Sequence, residues 1–196
     1  RVMIPRYAGI DLDKFKLEME MEGLPVPTGS EDESDQHPAH LTCNVKRYTP
    51  VNGANDRTPV TTYFLENQEY YEQRSNIYGY NDDAIRWALL SRGTLEFLSR
   101  SRGWLPDVII ASDWQTGFLC NYLKTAYRED ERLSRVAAIF VIHNLYYQGM
   151  FDQRFVAEMD YDDGQSPMPS FFDARLLNMN GMRRGIIHAD LISTVS

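Results

Sequence analysis

Two apolar runs in the second half of the chain carry no alternation. Asp107-Val108-Ile109-Ile110-Ala111-Ser112 is followed at once by Asp113 and a helical stretch to about residue 128. Val136-Ala137-Ala138-Ile139-Phe140-Val141-Ile142 is followed at once by His143. Non-alternating runs of strand length mark strands buried on both faces, as in a parallel sheet covered by helices. The ~20 residues between them are enough for one crossover helix, so 107–142 reads as a βαβ unit.

The first half is less regular. Residues 42–49 and 60–66 are rich in β-branched and aromatic side chains, and Asn52-Gly53 between them is a turn signal. Together they predict a hairpin with a long loop. Residues 2–4 form a short apolar segment halted by Pro5, and 10–21 predict a weak amphipathic turn or two. Residues 28–38 contain no apolar side chain and predict a mobile acidic loop, while the Tyr- and Asn-rich stretch 70–80 predicts an ordered irregular one. A helix is expected from Asn81 as N-cap, with Asp82 and Asp83 in its first turn and Gly103 just past its end. Another covers 176–188 before the last apolar run, 191–196. The class is α/β, a Rossmann-like parallel sheet with helices on both faces.

Composition narrows the function. The 196 residues carry 28 acidic and 20 basic side chains, a net charge of −8, and 43% hydrophobic residues suffice for one core. An acidic balance argues against nucleic acid as the partner. No apolar run approaches the ~20 residues of a membrane span, so no membrane partner is expected. Cys43 and Cys120 stand apart and read as reduced thiols of a cytoplasmic protein. Both chain ends are apolar, as strands cut from something larger would be.

In open parallel sheets ligands sit at the carboxyl ends of the strands. The first polar groups there are Asp113-Trp114-Gln115-Thr116-Gly117 and His143-Asn144-Leu145-Tyr146-Tyr147-Gln148-Gly149. Carboxylate, imidazole and amides beside aromatic rings suit a sugar, whose hydroxyls hydrogen-bond and whose C–H face packs on rings. The plainer alternatives stay open: Asp113 as a helix cap, Trp114 as a core anchor, His143 bonded to backbone, Gly149 as a turn. Phosphate-loop, dinucleotide, nucleophile-elbow and zinc-helix motifs are all missing. The four His are scattered, so no metal site is expected. Asp82/Asp83 and Asp162/Asp163 read as caps and loop charge.

At these residues the chain resembles the bacterial glycogen synthases and plant starch synthases of glycosyltransferase family 5. Arg1-Val2-Met3-Ile4-Pro5 resembles the second strand of their N-terminal domain, and Tyr78-Gly79-Tyr80-Asn81-Asp82-Asp83 their Tyr-Gly-Tyr-x-Asp region. Asp113-Trp114-Gln115-Thr116-Gly117 is similar to Asp-Trp-[His/Gln]-x-Gly, and His143-Asn144-Leu145-Tyr146-Tyr147-Gln148-Gly149 to His-Asn-Leu-x-Tyr-Gln-Gly. The resemblance implies one Rossmann-like domain over 1–196, the N-terminal half of a GT-B fold. It implies retaining transfer of glucose from ADP-glucose to the non-reducing end of an α-1,4-glucan in glycogen or starch biosynthesis, with no cofactor. His143 and Asp113 are then the catalytic candidates, with Tyr80, Trp114, Gln115, Asn144, Gln148 and Gly149 lining the substrate. The family's first strand and the C-terminal domain that shares the sugar nucleotide fall outside the chain, so 1–196 alone is expected to be inactive. The rival readings are a GT-B enzyme for another sugar nucleotide and a non-catalytic glucan-binding module.

Overall fold

The computed structural model describes residues 1–31, 34, 36–50, 59–149 and 162–195. Among them, seven strands form two sheets. The first holds β1 (Val2–Pro5), β2 (Glu18–Pro27), β3 (His40–Tyr48) and β4 (Thr62–Glu66) in the order β1-β4-β3-β2. β1 runs parallel to β4, and β3 is antiparallel to β4 and β2. The predicted hairpin is β3–β4, with Asn44 opposite Glu66 and Tyr48 opposite Thr62. The Asn-Gly signal falls in 51–58, outside the described residues.

The amphipathic turn expected over 10–21 forms over 12–15, and the rest of that stretch, from Glu18 on, is corrected to a strand. α1 (Leu12–Phe15) is a single turn capped by the Asp11 carboxylate, and Lys16 at φ 46° ends it. β2 follows, its Met and Glu alternating with period two until Gly23 (φ 65°) shifts the register and Leu24 and Val26 turn into the core. Pro25 and Pro27 are tolerated because β2 is the sheet's edge. Both described ends of the acidic segment are held. The buried Thr28 hydroxyl donates to the Pro38 carbonyl, and the His37 ring stacks on Phe172 with centroids 5.0 Å apart. Residues 32, 33 and 35 lie outside the described set.

The stretch 70–80 opens inside a π-helical turn, Gln68–Glu72, capped by Asn67. α2 (Asp83–Arg100) then packs against the first sheet. Its boundaries differ from the expectation. Asn81 does not cap it; Asp82 stands at the cap position but spends its carboxylate on Arg74. Ser101 in extended conformation closes the other end, so Gly103 is not needed in a left-handed cap.

The βαβ unit is as predicted. β5 (Val108–Ser112), α3 (Asp113–Lys124) and β6 (Ala137–Ile142) follow in order, with β5 parallel to β6. α4 (Gly181–His188), preceded by a 3-10 turn, leads into β7 (Leu191–Thr194), parallel to β6. α3 and α4 pack on one face over Phe140 and Ala138. The opposite face is bare among the described residues: Val108, Ile110 and Leu191, which the register sets on one face with Ile139, stand exposed, Ile110 at 65%. The apolar runs are two-faced as read, but the described residues cover one face.

Among the described residues β1 pairs only with β4, and β5 only with β6. Their free edges border a groove of about 770 Å³ lined by Met3, Trp87, Ser91, Ile110 and Gln115. Trp87 Nε1 and Ser91 Oγ are buried without a hydrogen-bond partner. Arg1 lies over the Trp104 ring, ahead of β5, so β1 and β5 begin at the same end of the molecule.

Candidate active site

β5 turns into α3 with no intervening residue, and Asp113 takes the turn at φ 58°. Asp is among the few side chains that tolerate this left-handed conformation. The carboxylate does not cap α3, which corrects that alternative. Its Oδ1 instead accepts from the backbone amides of His143 (2.7 Å) and Asn144 (3.3 Å). Its Oδ2 lies 2.8 Å from His143 Nδ1.

A carboxylate can only accept, so Nδ1 carries a proton, and in the neutral ring Nε2 keeps its lone pair. The imidazole is half exposed. Such a group accepts a proton or hydrogen bond from a sugar hydroxyl and, once protonated, stabilises adjacent negative charge.

The segment after His143 is pinned from behind. Asn144 Oδ1 accepts from the Tyr146 amide, and the exposed Tyr146 and Tyr147 rings meet edge to face. Gln148 Oε1 accepts from Asn180 Nδ2 (2.9 Å), and its carbonyl accepts from the Met182 amide. Gly149 sits at φ 82°, where an added Cβ would lie 2.6 Å from Trp114 Cε3. Trp114 is a half-buried wedge under this rim, edge-on to Trp87 with centroids 6.1 Å apart.

The other two candidates stand elsewhere. Gln115 lines the groove between β1 and β5. Tyr80 lies between the guanidiniums of Arg74 and Arg86, 4.9 and 5.0 Å from its centroid. Hydrogen bonds from Ser75 and the Asn76 amide hold its phenol below the ordinary value. Among the described residues no hydrogen bond or ring contact joins Tyr80 to Asp113 or His143. The structure thus brings Asp113, His143 and Asn144 together, seats Gln148 and Gly149 beside them on one loop, and leaves Tyr80 apart.

Sequence reasoning missed one cluster. Asp163 is a loop charge as expected, held at about 2 by the Ser166 and Gln165 amides. Asp162 is not: it is buried and pairs with buried Arg184 at 2.7 Å. The one local cue was the Arg183-Arg184 pair inside a predicted helix, since adjacent positions lie ~100° apart and one can face inward while the other stays in solvent.

No helix among the described residues is long and apolar enough to cross a membrane, and none of their His, Cys, Asp and Glu side chains group as a metal site.

The family model of the starch synthase catalytic domain matches residues 1–196. A glycogen synthase of Exiguobacterium sibiricum is 34% identical over all of the chain and 37% of its own length. One of Alkaliphilus metalliredigens is 32% identical with the same coverage, and one of Desulforudis audaxviator is 38% identical over 74% of the chain and 28% of its length. The chain therefore spans about a third of the relatives it matches. The catalytic domain of starch synthase IV from Arabidopsis thaliana, solved with ADP and acarbose, superposes with a TM-score of 0.70 at 23% identity, covering 99% of the chain and 37% of that structure. That likeness bears out the α/β, GT-B reading.

Proposed function

The chain belongs to the starch synthase catalytic domain family, and from that premise we propose that it forms the acceptor-side part of a retaining glucosyltransferase. The donor is ADP-glucose, taken as a substrate and not a resident cofactor, and the acceptor is the non-reducing end of an α-1,4-glucan. The setting is the cytoplasm, in keeping with Cys43 and Cys120 as free buried thiols. The relative solved with ADP and acarbose supports both ligand classes, since acarbose is a glucan-like oligosaccharide.

The observation that carries the reading is the Asp113 carboxylate gripping His143 at the mouth of two parallel strands. In the transfer, the bond from the anomeric carbon to the diphosphate breaks and a bond to the acceptor hydroxyl forms on the same face. The acceptor's proton leaves with the departing phosphate or through solvent. Little covalent work falls to the protein; placement and charge stabilisation dominate. His143 holds a hydroxyl of the reacting glucose through Nε2, and Asp113 fixes which nitrogen is free to do so. Asn144, Gln148 and Tyr80 hydrogen-bond acceptor or donor hydroxyls, and Gly149 keeps the rim open above Trp114. Gln115 sits where the groove meets the rim.

The groove between β1 and β5 supports the expectation that the chain is incomplete as an enzyme. Strand rise, strand spacing and sheet thickness give about 160 Å³ per residue of β-strand, so the groove takes roughly five residues of one strand. The family's first strand, expected ahead of Arg1, fits there, running with β1 and β5 and joining the two sheets.

The test is glucose transfer from labelled ADP-glucose to glycogen. The parent polypeptide is expected to turn over, the chain 1–196 alone not to, and UDP-glucose to serve poorly. Robust turnover by 1–196 alone sinks the incompleteness argument, and a parent that transfers from neither donor sinks the proposal. Transfer from UDP-glucose alone would favour the rival sugar nucleotide.

A further inference from the structure

Behind the rim lies a buried ionic cluster that touches no substrate position. Arg184, 1% exposed, donates through Nε to Asp162 Oδ2 (2.9 Å) and through Nη2 to Oδ1 (2.7 Å). Its Nη1 donates to the Ser166 carbonyl, and Nη2 also approaches Met179 Sδ. Asp162 accepts in addition from the backbone amides of Gly164 and Asn180. Every oxygen of the carboxylate is thus engaged, and Asn180 is held by its main chain.

Asn180 faces two ways. Its Oδ1 caps α4 by accepting from the Arg183 amide, and its Nδ2 donates to Gln148 Oε1. The Met182 amide, two residues on, donates to the Gln148 carbonyl. The start of α4 has no slack against the rest of the site. A Cβ on Gly181 would lie 2.2 Å from the Trp114 carbonyl oxygen, and one on Gly185 2.5 Å from the Phe140 ring. A displacement of Asn180 therefore moves Gln148 and Gly149 and cannot be absorbed on the α3 side.

We propose that Arg184 is a positioning residue: through Asp162 and Asn180 it sets where Gln148 and Gly149 stand over Trp114, and so how the glucan acceptor is received. The role rests on the glucosyltransferase reading above. A bidentate guanidinium is needed because it fixes the plane of the carboxylate as well as neutralising it. Lysine supplies the charge without the plane. The chemistry at His143 is left alone, because no bond of the cluster reaches Asp113 or His143.

The experiment uses the parent polypeptide and three variants. Arg184→Met leaves a buried carboxylate unpaired and is expected to destabilise the fold. Arg184→Met with Asp162→Asn removes both charges, while the new side-chain carbonyl still accepts from the Asn180 amide, so this double variant is expected to melt close to wild type. In it, the KM for maltoheptaose rises about tenfold, with kcat and the KM for ADP-glucose within about twofold of wild type. Arg184→Lys falls between. Amide hydrogen exchange at Gln148 and Gly149 speeds up in the double variant while exchange in β6 is unchanged. A double variant with normal melting, normal maltoheptaose KM and normal exchange overturns the proposal, since the pair would then be mere ballast. An equal loss in the KM of both substrates overturns it too. A parent without any transfer activity counts against the glucosyltransferase reading, and the exchange result still decides whether Arg184 positions the loop.

Discussion

Gly149 gives the sharpest test of how the rim is built. Two separate costs meet there, a left-handed φ of 82° and a Cβ only 2.6 Å from the Trp114 ring. Gly79 supplies the control, with φ 102° and nothing within 4 Å of an added Cβ. Gly79→Ala therefore measures backbone strain alone: about 1 kcal/mol, after the gain from a stiffer unfolded chain is set against it. Gly149→Ala adds overpacking of a ring held on its far side by Trp87, about 2 kcal/mol more. For a chain of this size each kcal/mol moves the melting temperature by about 3 °C. Thermal denaturation followed by circular dichroism should then show a loss of about 3 °C at position 79 and about 9 °C at position 149. Trimming the ring with Trp114→Phe should bring the Gly149→Ala penalty down to the level at position 79, a coupling that a double-mutant cycle reads directly. Equal losses at the two glycines, or a Gly149→Ala penalty unchanged in the Trp114→Phe background, would refute the wedge.

Asp113→Asn preserves the left-handed turn, which Asn also tolerates, but replaces a pure acceptor by a group that can donate. Nitrogen NMR of His143 should show the proton no longer confined to Nδ1, and glucosyl transfer by the parent should fall at least about tenfold; an unchanged tautomer with full turnover would count against the assignment. Burial pushes the Cys43 and Cys120 thiols up to about 12, so neither should react with an aromatic disulfide reagent near neutral pH until the chain is denatured, when both should. Burial likewise raises Tyr7, Tyr70 and Tyr122 to about 12. Each phenol is harder to ionise folded than unfolded, so its contribution to stability is complete below pH 10 and is lost as the pH climbs through about 12. Alkaline unfolding should coincide with the delayed tyrosinate absorbance, and Tyr122→Phe should remove part of the steep pH dependence.

What the sequence made legible were the features written within one stretch of chain. The runs at 108–111 and 136–142 are apolar throughout, so the parallel unit and the polar residues at its exits could be read directly. The hairpin was legible for the same reason. What escaped depends on contacts between distant stretches. Asp113 and His143 are 30 positions apart, and only the register that sets Ser112 opposite Val141 brings them to hydrogen-bonding distance. β2 hid because its alternating Glu and Met, with Met19 exposed and Met21 half-buried, look like a weak helix over so short a span, and its edge position alone excuses its prolines. Asp162 looked like its solvated neighbour Asp163, since nothing local distinguishes a carboxylate that meets an arginine 22 residues later. The bare face of the second sheet was also invisible, because an apolar run states what a strand can bury and not what arrives to cover it.

The groove beside β1 has a practical side. Trp87 lies on its floor with an indole N–H that has nothing to donate to. The ring is only 3% exposed, so an incoming strand would change its emission through the peptide dipoles it sets beside the indole and not by drying it. With Trp104 and Trp114 replaced by phenylalanine, the chain becomes its own indicator of sheet completion. Peptides from the parent could then be ranked by titration alone, with no enzyme activity required.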